Sequence, residues 1–409
     1  MEIRPIFASL RKHRIPALLI VLEIALACAV LCNAVFMISQ RVASIHLPNG
    51  IDEAGIAAVT VQGLDDKRAG SDIPRNIQAL RALRGVQSVS VMSTLPLSQN
   101  NWGWSFGTKA DATVADQTSR NVSLYFIGAD GPKTLGLKLL EGRFFNDGEY
   151  ADSHFDAAPL AETHVAMITR TLAEKLWPGQ SAVGKTFYSL PHYYTVVGVV
   201  GDVLRPYIGG AGGPYNYDAA YFPMSAAGSK GALGYYVLRS APADRDRLVR
   251  EAEQTLAALN PGAVARGRSY REIRDTYFAN MSSMAWMLVL VCVVMLAVTA
   301  FGIVGLTSFW VNQRRRQIGI RRAVGATRGN IMQYFQTENF LLSTGGVVLG
   351  MVLAFGINVY LMQRYEMPRM PWFYLPGGAL ALWLIGQVAV LGPALRAAAV
   401  PPVVATRSA

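Results

Sequence analysis

The sequence predicts an α/β membrane protein with four transmembrane helices and a large α+β extracytoplasmic domain between the first and second helices. Composition gives the first indication, because the 409 residues are 52% apolar and only 16% charged. Apolar segments give the second, since a helix of about 20 apolar residues crosses a bilayer. The segments that satisfy this condition are 15–38, 283–310, 336–362 and 373–392. The third is segment 39–282, which has ordinary globular composition.

The distribution of charge predicts the orientation of these helices. The net charge is +11, but the long segment 39–282 is nearly balanced. Basic residues concentrate instead in 1–14, 311–335 and 393–409. Short segments rich in Lys and Arg remain on the cytoplasmic side of a membrane. Both termini and 311–335 are therefore expected in the cytoplasm, with the long domain and the short loop 363–372 on the other side, and a nucleic-acid partner is not expected.

The N-terminal segment admits more than one interpretation. Apolar residues of 1–14 recur at helical spacing, which indicates an amphipathic helix on the inner leaflet, although a frayed terminus is an equal alternative. The apolar run that follows is longer than a usual signal-peptide core and lacks a clear small-x-small cleavage site. We therefore favour an uncleaved first transmembrane helix over a signal peptide. All three cysteines lie within predicted transmembrane segments.

The long domain alternates strand and helix patterns. Two β-α-β units flank it, one over 56–92 and one over 234–268, and they are predicted to pair as a split ferredoxin-like sheet. The region between them, 100–225, is rich in Gly, Pro and aromatic residues and contains several short strand patterns. It is predicted to form an inserted, mainly β subdomain.

One segment matches a phosphate-binding motif letter for letter. Residues 179–186 read GQSAVGKT, which fits G-x-x-x-x-G-K-[ST]. That motif requires a buried strand before the loop and a helix after it. Here the preceding residues look helical and the following ones look like a strand. We predict a turn rather than a nucleotide site.

Other enzyme signatures are also missing from the sequence. The histidines have no metal-ligand spacing, and neither a G-x-S-x-G elbow nor a cysteine outside the transmembrane segments is present. We therefore predict a non-catalytic chain without catalytic residues, bound metal or cofactor. An anchored extracytoplasmic enzyme is the disfavoured alternative.

Two acidic residues and two glycines stand out in the transmembrane segments. Glu23 lies deep in the first, where a carboxylate is costly and usually meets a partner or a cavity. It is predicted either to contact cargo or relay protons, or to form a hydrogen bond between helices. Glu338 lies at the inner edge of the third, near the Arg cluster. Gly346 and Gly350 form a small-xxx-small face for close helix packing.

The most informative stretch is the Arg-rich segment 312–334, NQRRRQIGIRRAVGATRGNIMQY. Its six arginines flank isoleucines, and a Gly-Ala-Thr sequence interrupts the helical pattern. An amphipathic helix, or a knob that fits a groove of a cytoplasmic partner, would have this composition. So would a loop that only fixes topology, and composition does not separate these alternatives.

Within this stretch, residues 316–328, RQIGIRRAVGATR, resemble the signature of the MacB/FtsX-like permeases of ABC transporters, usually close to REIGIRRALGA. Segments 139–145, 165–185 and 194–202 are similar to the MacB-type periplasmic core domain, and 393–402 to the end of the family's permease domain. The resemblance covers essentially the whole chain. Gln317 departs from the family's usual Glu, and no nucleotide-binding domain is fused, so the ATPase is expected on a separate chain.

The resemblance implies a function and a set of partners. A bacterial inner-membrane permease would couple ATP hydrolysis by a cytoplasmic ABC ATPase dimer, which binds ATP and Mg, to motion of a periplasmic domain. Its cargo would be a drug, peptide, lipid or lipoprotein. Further expected partners are a second copy or paralogous permease, a periplasmic adaptor and membrane lipids. The alternative is a regulatory complex that activates a periplasmic enzyme or senses a peptide without transport. The implied ATPase-coupling residues are Arg314, Arg315, Arg316, Ile318, Gly319, Ile320, Arg321, Arg322, Gly325 and Arg328.

Overall fold

The computed structural model describes residues 14–110, 119–151, 153, 163–189, 191–209, 213–225, 235–365 and 369–401. The chain divides into two compact units. Met1–Val42 and Met281–Ala409 form the helical unit, and Ala43–Asn280 forms the sheet unit. The predicted amphipathic segment before residue 14 and the chain after residue 401 lie outside the described residues.

Within these described ranges, four helices are long and apolar enough to cross a membrane, as predicted. They are α1 (Arg14–Ile45), α7 (Tyr270–Gln313), α9 (Arg328–Tyr365) and α10 (Tyr374–Ala398). Helix α7 begins well before the predicted transmembrane segment 283–310, because neither Gly nor Pro interrupts the chain between Tyr270 and Phe301. Pro376 lies in the first turn of α10, where a missing backbone N–H costs no helical hydrogen bond.

In the sheet unit, the described residues form eleven strands in one sheet. These are β1 (Ile56–Gln62), β2 (Val86–Met92), β3 (Gly103–Phe106), β4 (Ser119–Ile127), β5 (Leu139–Gly142), β6 (Val165–Thr169), β7 (Thr186–Ser189), β8 (His192–Val200), β9 (Ala219–Pro223), β10 (Tyr235–Ser240) and β11 (Val264–Ser269). The shorter helices are α2 (Ala69–Arg81), α3 (Gly131–Leu135), α4 (Asp147–Ala151), α5 (Arg170–Leu176), α6 (Arg245–Leu259) and α8 (Arg315–Ala323).

The two flanking β-α-β units pair as predicted. Their strands run in the order β11-β1-β10-β2, and each neighbouring pair is antiparallel. Alternate residues of β1, among them Val59 and Val61, are buried in the core that also receives Leu80 of α2 and Leu256 of α6. Because side chains of a strand alternate between faces, both helices cover the same side of this four-stranded sheet. The split ferredoxin-like prediction is confirmed.

The inserted strands continue the same sheet instead of forming a separate one. The order proceeds β2-β4-β9-β6-β8-β5, with β3 beside β4 and β7 beside β8. The junction is short, because β2 and β4 pair only at Met92 and Ile127. Two further backbone bonds support it, from Ser93 N to Phe126 O (3.0 Å) and from Gly128 N to Val91 O (2.9 Å). A junction of this length leaves no periodicity that would identify it in the sequence.

The segment that matches the phosphate-binding motif is a turn between α5 and β7. Gly179 and Gly184 have φ angles of +67° and +81°, which glycine adopts without strain. The Gly184 amide donates to Val196 O at 2.8 Å. A strand follows, whereas a phosphate loop needs the N-terminus of a helix.

A capping box at the start of α4 yields a test of pH dependence. Asn146 N donates to Glu149 Oε2 and Glu149 N donates to Asn146 Oδ1, both at 2.9 Å. Arg143 also donates to both Glu149 oxygens, at 2.7 and 2.8 Å. The Arg143 bonds, aided by the Asn146 amide, hold the pKa of Glu149 below its usual 4.5, against the opposing effect of burial. The Glu149 carboxylate is therefore held by hydrogen bonds from both Arg143 and Asn146.

We expect Glu149→Gln to reduce the protection of the amides of 146–151 from hydrogen exchange about fivefold at pH 7, since a partly exposed pair contributes up to ~1 kcal/mol. A lowered folded-state pKa adds stability above the unfolded pKa and loses it as pH falls through the folded value. The difference between variant and wild type should therefore shrink below pH 4.5. An equal difference at pH 7 and pH 4 would contradict the role assigned to the carboxylate charge.

Candidate functional site

The Arg-rich connection between α7 and α9 is a short helix bounded by two turns. Helix α8 ends before Gly325, whose φ of +109° is left-handed. The amides of Gly325 and Ala326 donate to Arg322 O (3.2 Å) and Arg321 O (3.0 Å), which satisfies the last carbonyls of α8. Thr327 then caps α9, because its Oγ1 accepts from Asn330 N at 3.2 Å. The Gly-Ala-Thr sequence thus fixes where one helix ends and the next begins.

One face of this connection points into the helical unit. Arg314, Ile318 and Arg322 are spaced by four residues, so they share a face of the helix. Arg314 Nη1 donates to both carboxylate oxygens of Glu338, at 3.0 and 3.1 Å. Only 9% of the Arg314 side chain and 2% of the Glu338 side chain are exposed. Glu338, expected at the inner edge of the third transmembrane segment, is therefore one half of a buried ion pair.

Arg322 fixes the other end of the same face. Its Nη1 donates to Ala398 O at 3.1 Å and to Val400 O at 2.6 Å, where α10 ends. Helix C-termini carry unsatisfied carbonyls and partial negative charge, so a guanidinium is a favourable partner there. Ile318 and Gly319 are buried between these two anchors. Four of the ten predicted coupling residues therefore hold α8 in place: Arg314, Ile318, Gly319 and Arg322.

The opposite face of α8 is exposed. Arg316, Ile320 and Val324 follow one another at four-residue spacing, and Ile320 and Val324 are 48% and 84% exposed. Arg315 and Arg328 are also exposed. Arg321 is exposed and lies over the ring of Tyr334, 4.9 Å from its centroid. The result is an apolar strip bordered by arginines, which we call the outward face. Val324 was not among the predicted residues, although its spacing from Ile320 would have identified it.

Gln317 lies between the two faces. It lines a cavity of about 100 Å³ together with Arg314, Arg321, Tyr334 and neighbouring apolar residues. A Glu at this position, the usual residue of the family pattern, would place a carboxylate in a cavity with two guanidinium groups. The neutral amide leaves the Arg314 guanidinium for Glu338 alone.

The predicted glycine face packs against the first helix of the same chain. A Cβ added to Gly346 would lie 2.7 Å from Ile24 Cβ, and one added to Gly350 would lie 2.4 Å from Cys28 Cβ. Asn33 Nδ2 adds a hydrogen bond to Ala354 O at 3.1 Å. Close approach of α9 to α1 therefore depends on the absence of side chains at both glycines.

Glu23 lies on α1 against α7. A Cβ added to Gly302 would lie 2.4 Å from Glu23 Oε1, so the carboxylate occupies the space that glycine leaves free. Its carboxylate has no hydrogen bond or ion pair with any residue that the structure describes. The alternative of a structural hydrogen bond between helices therefore finds no support among the described residues.

Within the described part of the chain, no three His, Cys, Asp or Glu side chains come together as metal ligands. His164 stacks on Tyr193, with ring centroids 4.4 Å apart. His154 lies outside the described residues.

Comparison with known proteins identifies both parts of the chain. Residues 19–262 match the family model of the MacB-like periplasmic core domain, and residues 289–402 match that of the FtsX-like permease C-terminal region. The macrolide export ATP-binding/permease protein MacB of Chromobacterium violaceum is 27% identical over 379 residues, which cover 88% of this chain and 53% of that protein. The uncharacterized ABC transporter permease YknZ of Bacillus subtilis is 24% identical over 286 residues, 66% of each chain.

A third relative and two solved structures are also similar to this chain. The pyoverdine export ATP-binding/permease protein PvdT of Pseudomonas aeruginosa is 27% identical and matches 68% of this chain and 41% of its own length. The periplasmic region of MacB from Actinobacillus actinomycetemcomitans is 16% identical, covers 56% of this chain and 94% of its own, and has a TM-score of 0.38. The extracellular domain of YknZ is 15% identical, with coverages of 52% and 99% and a TM-score of 0.35.

The chain spans about half the length of the Chromobacterium relative, and less of the Pseudomonas one. The core-domain match alone covers more than half of the chain, and the permease match begins 27 residues after it ends. Together with the four apolar helices, these matches imply a multi-pass inner-membrane protein. The chain therefore belongs to the family of ABC transporter permeases that join a MacB-like periplasmic core domain to an FtsX-like permease region.

Proposed function

We propose that this chain couples ATP hydrolysis by a separate ABC ATPase to conformational change in its sheet unit, and that this motion exports or extracts a small molecule, peptide, lipid or lipoprotein. The outward face of α8 is the observation that carries the proposal. Its apolar residues Ile320 and Val324 are exposed, whereas Arg314 and Arg322 fix the helix to its own unit. An anchored helix with an exposed apolar strip suits docking into a groove of a partner.

The division of the arginines supports this assignment. A loop that served only to fix topology would need positive charge but no particular orientation. In this chain two arginines are hydrogen-bonded into the helical unit, and Arg315, Arg316 and Arg328 point away from it. The outward residues are the proposed ATPase contacts, and the inward residues are proposed to hold α8 rigid.

Transmission of motion is proposed to follow helix α7. It is continuous for 44 residues, from the end of β11 to the Arg-rich connection. Displacement of α8 by the ATPase would therefore move a single helix that begins in the sheet unit. ATP and Mg would bind the partner, since the one motif-like segment of this chain is a turn followed by a strand.

Pairing with a second permease, a copy or a paralogue, is proposed from the exposure of α7. Only 17% of the residues in the most apolar stretch of α7 are buried within the chain, compared with 50% in the corresponding stretch of α1. Lipid or another permease would cover the rest. The names of two matched relatives, a macrolide exporter and a pyoverdine exporter, support a small-molecule cargo. An adaptor on the periplasmic side is part of the same proposal. Both chain termini are proposed to be cytoplasmic.

The docking assignment can be tested by affinity purification of the full chain from its native membranes, with mass spectrometry of co-purifying ABC ATPases. We expect Ile320→Asp with Val324→Asp to reduce ATPase recovery at least about tenfold, since buried apolar contacts at the centre of an interface carry ~2 kcal/mol or more. Ala257→Asp with Ala258→Asp, exposed on α6, is the matched control. Recovery of the ATPase at the wild-type level with the Ile320/Val324 variant would refute the assignment.

Transport itself requires a separate assay. ATP-dependent accumulation of cargo in inverted vesicles distinguishes export from a regulatory role in which the same helices move without transport. The Ile320/Val324 variant should abolish accumulation if the outward face receives the motion.

A further inference from the structure

The sheet unit contains a groove on the face opposite α2 and α6. It has a volume of about 260 Å³. Side chains of three neighbouring strands line its floor, in register: Arg266 of β11 is paired with Thr60 of β1, and Thr60 with Tyr235 of β10. Residues Ile273, Thr276 and Tyr277 of α7 form one wall, and residues Leu97, Ser98 and Gln99 form another.

The charge of this groove is one-sided. Arg266 and Arg268 both line it and are both exposed. They are two residues apart in a strand, so their side chains point to the same face. No carboxylate is among the thirteen lining residues. Across the residues that the structure describes, neither guanidinium has a hydrogen bond or ion pair. Two unpaired guanidinium groups on one face of a strand, beside apolar surface, favour an anionic group with an apolar body.

The rim of the groove is strained. Leu97 and Gln99 have φ angles of 61° and 66°, a left-handed conformation that costs free energy for residues other than glycine. Hydrogen bonds hold both in place, from Leu97 N to Arg205 O (3.1 Å) and from Gln99 N to Pro206 O (3.0 Å). Such strain concentrates where a backbone is positioned for a ligand.

The same rim is connected to the wall that α7 provides. Ile208 N, three residues after Arg205, donates to Tyr277 Oη at 2.9 Å. The strained rim, the segment 205–208 and the start of α7 therefore form one hydrogen-bonded series. A molecule in the groove would touch both ends of that series.

We propose that this groove binds a small organic anion, with its carboxylate, sulfonate or phosphate group between Arg266 and Arg268 and its apolar body against Tyr235 and Ile273. The volume lies just below the ~300 Å³ at which drug-sized sites begin, which limits the ligand to a small molecule or one end of a larger one. This inference rests on the groove alone and does not depend on the proposed coupling role of α8. Ligand binding to the groove is measured directly, so a negative result for ATPase docking would leave the inference intact.

The test uses the full chain in phosphatidylcholine nanodiscs with Thr60→Cys as a reporter. The native cysteines, Cys28, Cys32 and Cys292, are buried in α1 and α7, so modification at 60 is resolved by peptide mass spectrometry. The rate of modification by N-ethylmaleimide is measured with 4-phenylbutyrate and with 4-phenylbutylamine, a pair of similar shape and opposite charge. Ala258→Cys on α6 controls for effects outside the groove.

We expect phenylbutyrate to slow modification at position 60 saturably, by about fivefold or more, and phenylbutylamine to leave it unchanged, because only the anion pairs with the guanidinium groups. Arg266→Gln with Arg268→Gln should remove the protection while preserving the rate at position 258, which shows that the variant is folded. Equal protection by the amine, no protection by the acid, or protection that persists in the double Gln variant would overturn the proposal. Slower modification at position 60 in nanodiscs that contain phosphatidylglycerol, with neither ligand added, would assign the groove to lipid headgroups. That result would also overturn the proposal.

Discussion

Replacement of Glu338 by alanine should destabilise the helical unit by about 3–5 kcal/mol, because it leaves the Arg314 guanidinium buried without its counter-charge. Both oxygens of Glu338 accept from Arg314 Nη1, and the pair is almost inaccessible. Unfolding of the full chain in mixed micelles, with increasing SDS as denaturant, measures the loss. Since the same bond orients the first turn of α8, ATPase recovery should fall with stability.

A double substitution separates the cost of an orphaned charge from the value of the pair. Arg314→Met with Glu338→Leu removes both charges and keeps apolar volume, and replacement of a buried ion pair in this way is often neutral or stabilising. We therefore expect the double variant to recover most of the stability lost in Glu338→Ala. If it unfolds as easily as the single variant, burial of an unpaired charge is not the cause.

The second large effect is expected at the contact between α1 and α9. A leucine at position 350 would place its Cβ 2.4 Å from Cys28 Cβ and 2.7 Å from Ala25 O, so the two helices would have to separate. Overpacking of a well-packed interior typically costs 1–3 kcal/mol, and contact with a backbone atom puts this site at about 3 kcal/mol or more. The SDS titration used for Glu338 measures this loss directly.

Position 356 supplies the matched control on the same helix. Nothing lies within 4 Å of a Cβ added to Gly356, so Gly356→Leu introduces the same side chain into open space. It should be neutral within about 0.5 kcal/mol, or slightly stabilising, because leucine forms helix better than glycine. An equal loss at positions 350 and 356 would show that packing against α1 is not what the glycine provides.

The parts of the fold that the sequence predicts are those that depend on regular patterns. Alternating apolar residues locate strands β1 and β2, and an apolar stripe locates helix α6. The pairing of the strands follows from the known arrangement of two β-α-β units in a split ferredoxin-like sheet. The junction between β2 and β4 depends on one pair, Met92 and Ile127, and carries no such pattern. It could be learned only from the structure.

The candidate site shows the same division. The sequence locates six arginines in one segment and places a helix break at Gly325. Which arginines turn inward depends on Glu338, 24 residues further along the chain, and on the end of α10. Arg314 and Arg322 each have an arginine next to them in the sequence that is exposed, so adjacent side chains of one type acquire different roles because their partners lie elsewhere in the chain. The small-residue face of Gly346 and Gly350 likewise predicts close packing but not the helix it packs against, which is α1.

Arg274 links the beginning and the end of the sheet unit, which bears on how domains of such permeases can be exchanged. Its guanidinium donates to Ile45 O at 2.7 Å and to Leu47 O at 3.3 Å, and it forms an ion pair with Glu53. The chain therefore enters the sheet unit and leaves it at neighbouring points, joined by one side chain. Domains whose ends lie close together tolerate insertion into other chains. The sheet unit is consequently suited to exchange between related permeases as a single cassette, cut at residues 43 and 280, provided that the arginine and its three partners travel together.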